Sequence, residues 1–104
     1  MTLKIKVYKL PGNKPPLMIA CPRGADFIPK LITVKGTHFI SALVDEGQPF
    51  TERRVWIIQE NQDAQALKNF NLTFLDTLIT ETRLGTPLLF YIFIEDEQAL
   101  IKTN

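Results

Sequence analysis

Along residues 3–8 apolar and polar positions alternate strictly, Leu3, Ile5 and Val7 against Lys4, Lys6 and Tyr8. A period of two is that of a half-buried strand. PGNKPP at 11–16 then breaks the pattern, because proline and glycine punctuate regular structure. LMIAC at 17–21 is a short second strand, closed by Pro22-Arg23-Gly24. DFIPKLITVK at 26–35 is a third, interrupted at Pro29, which cannot donate to a ladder and so marks an edge or a bulge. Lys35-Gly36-Thr37 forms a hairpin turn into THFISALVD at 37–45, and Glu46-Gly47-Gln48-Pro49 turns into FTERRVWIIQE at 50–60.

ENQDAQALKNF at 60–70 predicts a short helix, with Ala66, Leu67 and Phe70 at helical spacing. LTFLDTLIT at 72–80 fits both periods. Thr73, Thr77, Ile79 and Thr80 are β-branched, so a strand is preferred. ETRLGTP is a loop, LLFYIFI at 88–94 a central strand with Phe90 and Ile92 buried, and EQALIKTN a helical turn or a frayed end. Short connections favour antiparallel neighbours. The expected class is α+β, mostly β: one curved antiparallel sheet or partly open barrel of six to seven strands with one short helix, in a single domain over 1–104.

In the strand at 50–60 neither side is plainly core or plainly solvent. Glu52, Arg54, Trp56 and Ile58 point one way, and Arg53, Val55 and Ile57 the other. In LLFYIFIE, Leu88, Phe90, Ile92 and Ile94 make a core side, leaving Leu89, Tyr91, Phe93 and Glu95 opposite. If the two outer sides are neighbours, the sheet carries rings with an arginine among them, which marks an interface or a ligand site unless the 60–70 helix covers it. Rings stack on bases or pack on proteins, and a guanidinium forks onto phosphate. Arg54, on the side of Trp56, is the anion-holding candidate. Arg53 is expected to snorkel from the core edge, and one of the two arginines to pair with Glu52 or Asp45.

Composition narrows these options. Twelve basic residues against 11 acidic give a net charge of +1, without the basic excess typical of duplex nucleic-acid binders. Cys21 is the only cysteine, so no intrachain disulfide forms, and a small buried thiol is the expected role. The N-terminus has no signal-peptide pattern, and the apolar run at 88–94 is far too short to span a membrane. A cytoplasmic location is expected. His38 is the only histidine, so no His/Cys zinc site assembles within one chain, and no nucleophile–base pair is indicated beyond a formal Cys21–His38 possibility. Pro22-Arg23-Gly24-Ala25 lacks the length and ending of a phosphate loop. Glu95-Asp96-Glu97 is expected to be a solvated acidic edge. No enzyme activity, cofactor or metal is expected.

The order Pro22-x-Gly24-Ala25, Ala42-Leu43-Val44-Asp45, Glu52-Arg53-Arg54 with Ile57-Ile58, Phe74-Leu75-Asp76-Thr77 and Leu89-Phe90-Tyr91-Ile92-Phe93 resembles a group of small β-rich phage and prophage proteins. Lys6-Val7-Tyr8-Lys9 matches the strand with which they begin, and the resemblance spans most of residues 4–95. The chain departs from the group at Gln59-Glu60-Asn61-Gln62, where a Gly-Thr-Gly step is common, and at Tyr91, where a histidine is common. More loosely it is similar to phage anti-Thoeris sponges, non-enzymatic oligomers that sequester cyclic ADP-ribose-type signals. That likeness implies a homo-oligomer, a dimer or higher, holding a small phosphorylated nucleotide, with Arg53 or Arg54 on phosphate and Trp56, Tyr91 or Phe93 on the base. The alternative is a protein–protein module that inhibits a host protein through the same aromatic face.

Overall fold

In a computed structural model residues 2–10 and 16–97 are described, and they form eight strands and one helical turn. In chain order these are β1 (Leu3–Lys9), β2 (Leu17–Pro22), β3 (Asp26–Phe27), β4 (Ile32–Val34), β5 (Thr37–Asp45), β6 (Phe50–Gln59), α1 (Ala66–Asn69), β7 (Leu72–Glu81) and β8 (Pro87–Glu95). The predicted turn or fray after Glu97 lies outside the described residues. The fold is mostly β with antiparallel pairing, as the alternating pattern requires. The strands divide between two sheets, however, rather than sharing one curved sheet. β5 carries β1 on one edge and β3 and β4 on the other, while the second sheet runs β2-β6-β8-β7.

Local chemistry explains the turns. Lys35 and Gly36 both have positive φ, 50° and 79°, the pair of conformations that a two-residue hairpin demands. The helix expected over 60–70 shortens to the single turn of α1. Asn61 takes a left-handed conformation with φ 66°, and the Asp63 carboxylate accepts a hydrogen bond from the Gln65 amide at 2.9 Å. Asn and Asp fold the backbone into local turns, which removes the first half of the helix.

Both sheets contribute to one core. Ile40, Ala42 and Val44 of β5 meet Leu17, Ile19 and Cys21 of β2, Val55 of β6 and Ile92 and Ile94 of β8. β8 lies between β6 and β7, as expected for 88–94, and Ile92 is buried. Phe90 is only half-buried, because it sits at the last paired position of the β6–β8 ladder, opposite Gln59, with Leu78 on its other side. The molecule measures 50 × 32 × 19 Å with a radius of gyration of 14.7 Å, above the roughly 13 Å of a compact 100-residue domain.

Asp76 ties the second sheet to the segment between β3 and β4. Its carboxylate accepts the Leu31 amide at 2.7 Å and the Thr77 amide at 2.8 Å. Those two donors, the first being the stronger cause, hold its pKa below the ordinary carboxylate value. A lowered folded-state pKa contributes stability that is complete above the unfolded value near 3.9 and is lost as pH falls through the folded value. Asp76→Asn should therefore flatten the fall of unfolding free energy, followed by urea titration, between about pH 5 and pH 2.

Candidate functional site

The two arginines of β6 separate to opposite sides of the strand, as the alternation requires. Arg53 lies on the core side and is buried. Its Nε donates to the Glu95 carbonyl at 2.8 Å and its Nη1 to the Ala25 carbonyl at 2.8 Å. The same Nη1 lies 3.9 Å from a Glu97 carboxylate oxygen, and the guanidinium sits 5.0 Å from the centre of the Phe27 ring. The role is structural: Arg53 joins β6 to β8 and to the turn before β3, and it does not open onto a ligand surface.

Arg54 is on the outer side with Trp56, as expected, but it is not free for an anion. Its Nε and Nη2 both donate to Glu95 Oε2, at 3.0 and 2.5 Å, and its guanidinium lies 4.3 Å from the centre of the Phe70 ring. The Glu95 carboxylate pushes the guanidinium pKa above its ordinary value. Neither Glu52 nor Asp45 pairs with an arginine. Glu52 is exposed, and Asp45 accepts the Gly47 amide at 3.0 Å in its own turn. Because Arg54 covers the buried Glu95, Arg54→Ala should lower stability by about 1–3 kcal/mol, the cost of leaving a charged acceptor unpaired. A melting curve unchanged from wild type would contradict this account of the pair.

Glu95-Asp96-Glu97 is accordingly no solvated edge. Glu97 accepts the Gly24 amide at 2.8 Å, and Asp96 accepts the Thr73 hydroxyl at 2.6 Å. Glu95 holds Arg54 through its carboxylate and Arg53 through its carbonyl. The one available signal was cross-strand position. With Val55 opposite Ile94, the antiparallel register sets Arg54 opposite Glu95.

The rings come together on the outer side of the second sheet. Trp56 pairs with Phe93 and Ile58 with Tyr91, as expected for neighbouring strands. Phe70, which follows α1, stacks on Trp56 with centroids 5.5 Å apart and planes at 28°. The 60–70 segment thus covers half of this face and leaves Tyr91 and Phe93 half-buried. Phe93 meets Phe74 edge-on at 5.5 Å, and Phe74 is 49% exposed. Phe70 and Phe74 complete the face although the sequence did not single them out.

Two hollows flank the 60–70 segment. One, of about 310 Å³, lies between the Trp56–Phe70 stack and the polar side chains of Gln62, Gln65 and Asn69. The other, of about 330 Å³, lies over Tyr91, Phe93 and Leu67. Trp56 Nε1 is buried without a hydrogen-bond partner among the described residues.

His38 Nδ1 lies 2.8 Å from the Thr33 hydroxyl across the β4–β5 pair. Cys21 is fully buried, and desolvation pushes its pKa up, which disfavours the reactive thiolate. Among the described residues no three His, Cys, Asp or Glu side chains cluster as metal ligands. No helix there is long and apolar enough to cross a membrane. Comparison of the chain with models of protein families, with curated proteins and with solved structures finds no match.

Proposed function

We propose that the chain is a non-enzymatic binding protein whose outer second-sheet face contacts another protein. The observation that carries this reading is the ring row left open by the 60–70 segment: exposed Phe74 against Phe93, with Tyr91 and exposed Leu67 across the hollow. Exposed contiguous rings rimmed by polar side chains are typical of protein contact surfaces. The Arg54–Glu95 pair at one end favours the same use, since both charges are already satisfied within the chain. On the resemblance to phage proteins, the partner would be a host protein and the compartment the host cytoplasm. Self-association belongs to the same reading, through a different surface.

Sequestration of a small nucleotide keeps one observation in its favour. The indole N–H of Trp56 has no acceptor among the described residues, and its stack with Phe70 borders a hollow with room for a base. Against it, both guanidinium groups have acceptors in their own chain. A thermal-shift panel of linear and cyclic nucleotides, run beside affinity capture with wild type, Phe74→Ser and Tyr91→Ala, separates the two. The protein reading expects no nucleotide-dependent shift and a captured partner that either substitution releases. A dose-dependent rise in melting temperature with a nucleotide, abolished by Trp56→Phe, would overturn it.

A further inference from the structure

Strand β1 is turned the wrong way round for its own core. Paired positions in an antiparallel ladder share a side of the sheet. Lys4 pairs with Val44, Lys6 with Ala42 and Tyr8 with Ile40, and those three β5 residues are core. The lysines therefore occupy the core side at the edge of the sheet, where both reach Glu46, at 3.2 and 3.0 Å. The apolar positions face outward: Leu3 is 54% exposed, Ile5 64% and Val7 58%. Leu43, the partner of Ile5 on β5, adds to the same side at 39%. A slip of one residue would move the whole apolar row to the other side of the sheet. Seven paired positions, from Leu3 with Asp45 to Lys9 with Phe39, hold it outward instead.

We infer that this outer face of the first sheet joins two copies of the chain in a two-fold dimer. Two-fold association needs a surface complementary to itself. The centre qualifies, because Leu3, Ile5, Val7 and Leu43 are uncharged aliphatic side chains that pack on their own kind. Lys4 and Lys6, which would repel their counterparts, point to the other side of the sheet, where both pair with Glu46.

The rim qualifies as well. Arg23 and Asp26 border a hollow of about 510 Å³ that reaches Leu3 and Leu43. Among the described residues neither makes an ion pair within its own chain. The same hollow also holds the Asp45 and Glu97 carboxylates, and a two-fold axis through the patch can set Arg23 of one copy against this acidic rim of the other. An apolar centre with a charged rim is the anatomy of a specific interface, and a standard one covers about 800 Å² per partner.

Sedimentation equilibrium of wild type, Ile5→Lys, Lys4→Gln and Phe74→Lys tests this. Wild type should be a dimer at high micromolar concentration. Ile5→Lys should raise the dissociation constant by about 100-fold or more, since it places two charges in an apolar centre. Its circular dichroism should match wild type, because Ile5 is exposed and outside the core. Lys4→Gln and Phe74→Lys should remain dimers. A monomeric wild type would overturn the inference and leave the face to a different macromolecule. A dimer unaffected by Ile5→Lys, or one dissociated by Phe74→Lys, would overturn it too. The partner contact proposed for the second sheet is read with other variants and stands or falls separately.

Discussion

Arg53→Ala is expected to be among the most damaging single substitutions on this chain, lowering stability by about 3–5 kcal/mol, the usual cost of removing one partner of a buried charged pair. Two carbonyls, those of Ala25 and Glu95, lose their donor at once, and the Glu97 carboxylate loses a cation 3.9 Å away. Phe27 also loses the cation that lies over its ring. For a domain of this size the melting temperature should fall by more than about 10 °C. Arg53→Lys should recover little, because an ammonium cannot direct two N–H groups at fixed carbonyls while stacking on a ring. Urea unfolding followed by circular dichroism checks both variants. A loss below about 1 kcal/mol for the alanine variant would show that the guanidinium is dispensable.

Ile92→Ala should cost about 2–5 kcal/mol, the range for truncating a buried aliphatic side chain and leaving a cavity. Ile92 is 1% exposed in the central strand of the second sheet, and it packs within the cluster shared with β5 and β2. Phe90→Ala removes more atoms yet should cost less, about 1–2 kcal/mol, because a half-buried ring returns only part of its transfer free energy. The order of the two losses is the informative result. If Phe90→Ala proved the more costly, the core would extend along β8 further than the burial of Ile92 and Ile94 indicates.

Much of this fold was legible because alternation in a strand is a local property. The sides of β6 and the turn at Lys35-Gly36 both follow from side-chain period and turn chemistry. The double periodicity of 72–80 has a physical cause as well. The register shifts between Phe74 and Asp76, so Leu75 is buried while Phe74 faces outward and Asp76 inward. A bulge breaks the period of two, and the broken pattern then also fits a helix.

What was not legible is tertiary. Alternation says that Leu3, Ile5 and Val7 share a side, but not that β1 would dock on β5 with that side away from the core. Nor does it say that the acids at 95–97 would return to β6, β7 and the turn at 24. Those partners lie 73, 41 and 23 positions away for Gly24, Arg54 and Thr73. Composition read the acids as solvated because a run of like charges usually is. Here each has a donor held in place by a different segment, and Arg54, the candidate for an anion, is engaged by Glu95 as a result.

The same acids bear on how the chain folds. Arg53 and Arg54 are made long before Glu95 and Glu97, so a ribosome-bound chain carries both arginines without their acceptors until the last strand emerges. Gly24 waits longer still, for an acceptor 73 residues on. Contacts so distant in sequence make loop closure late and folding slow. Until β8 inserts between β6 and β7, the second sheet also has two unpaired edges flanked by Trp56 and Phe74, the state in which β-rich chains aggregate. Chains truncated before residue 95 should thus be captured by chaperones or cleaved by protease, and protection should appear in one step once the chain extends through Glu97.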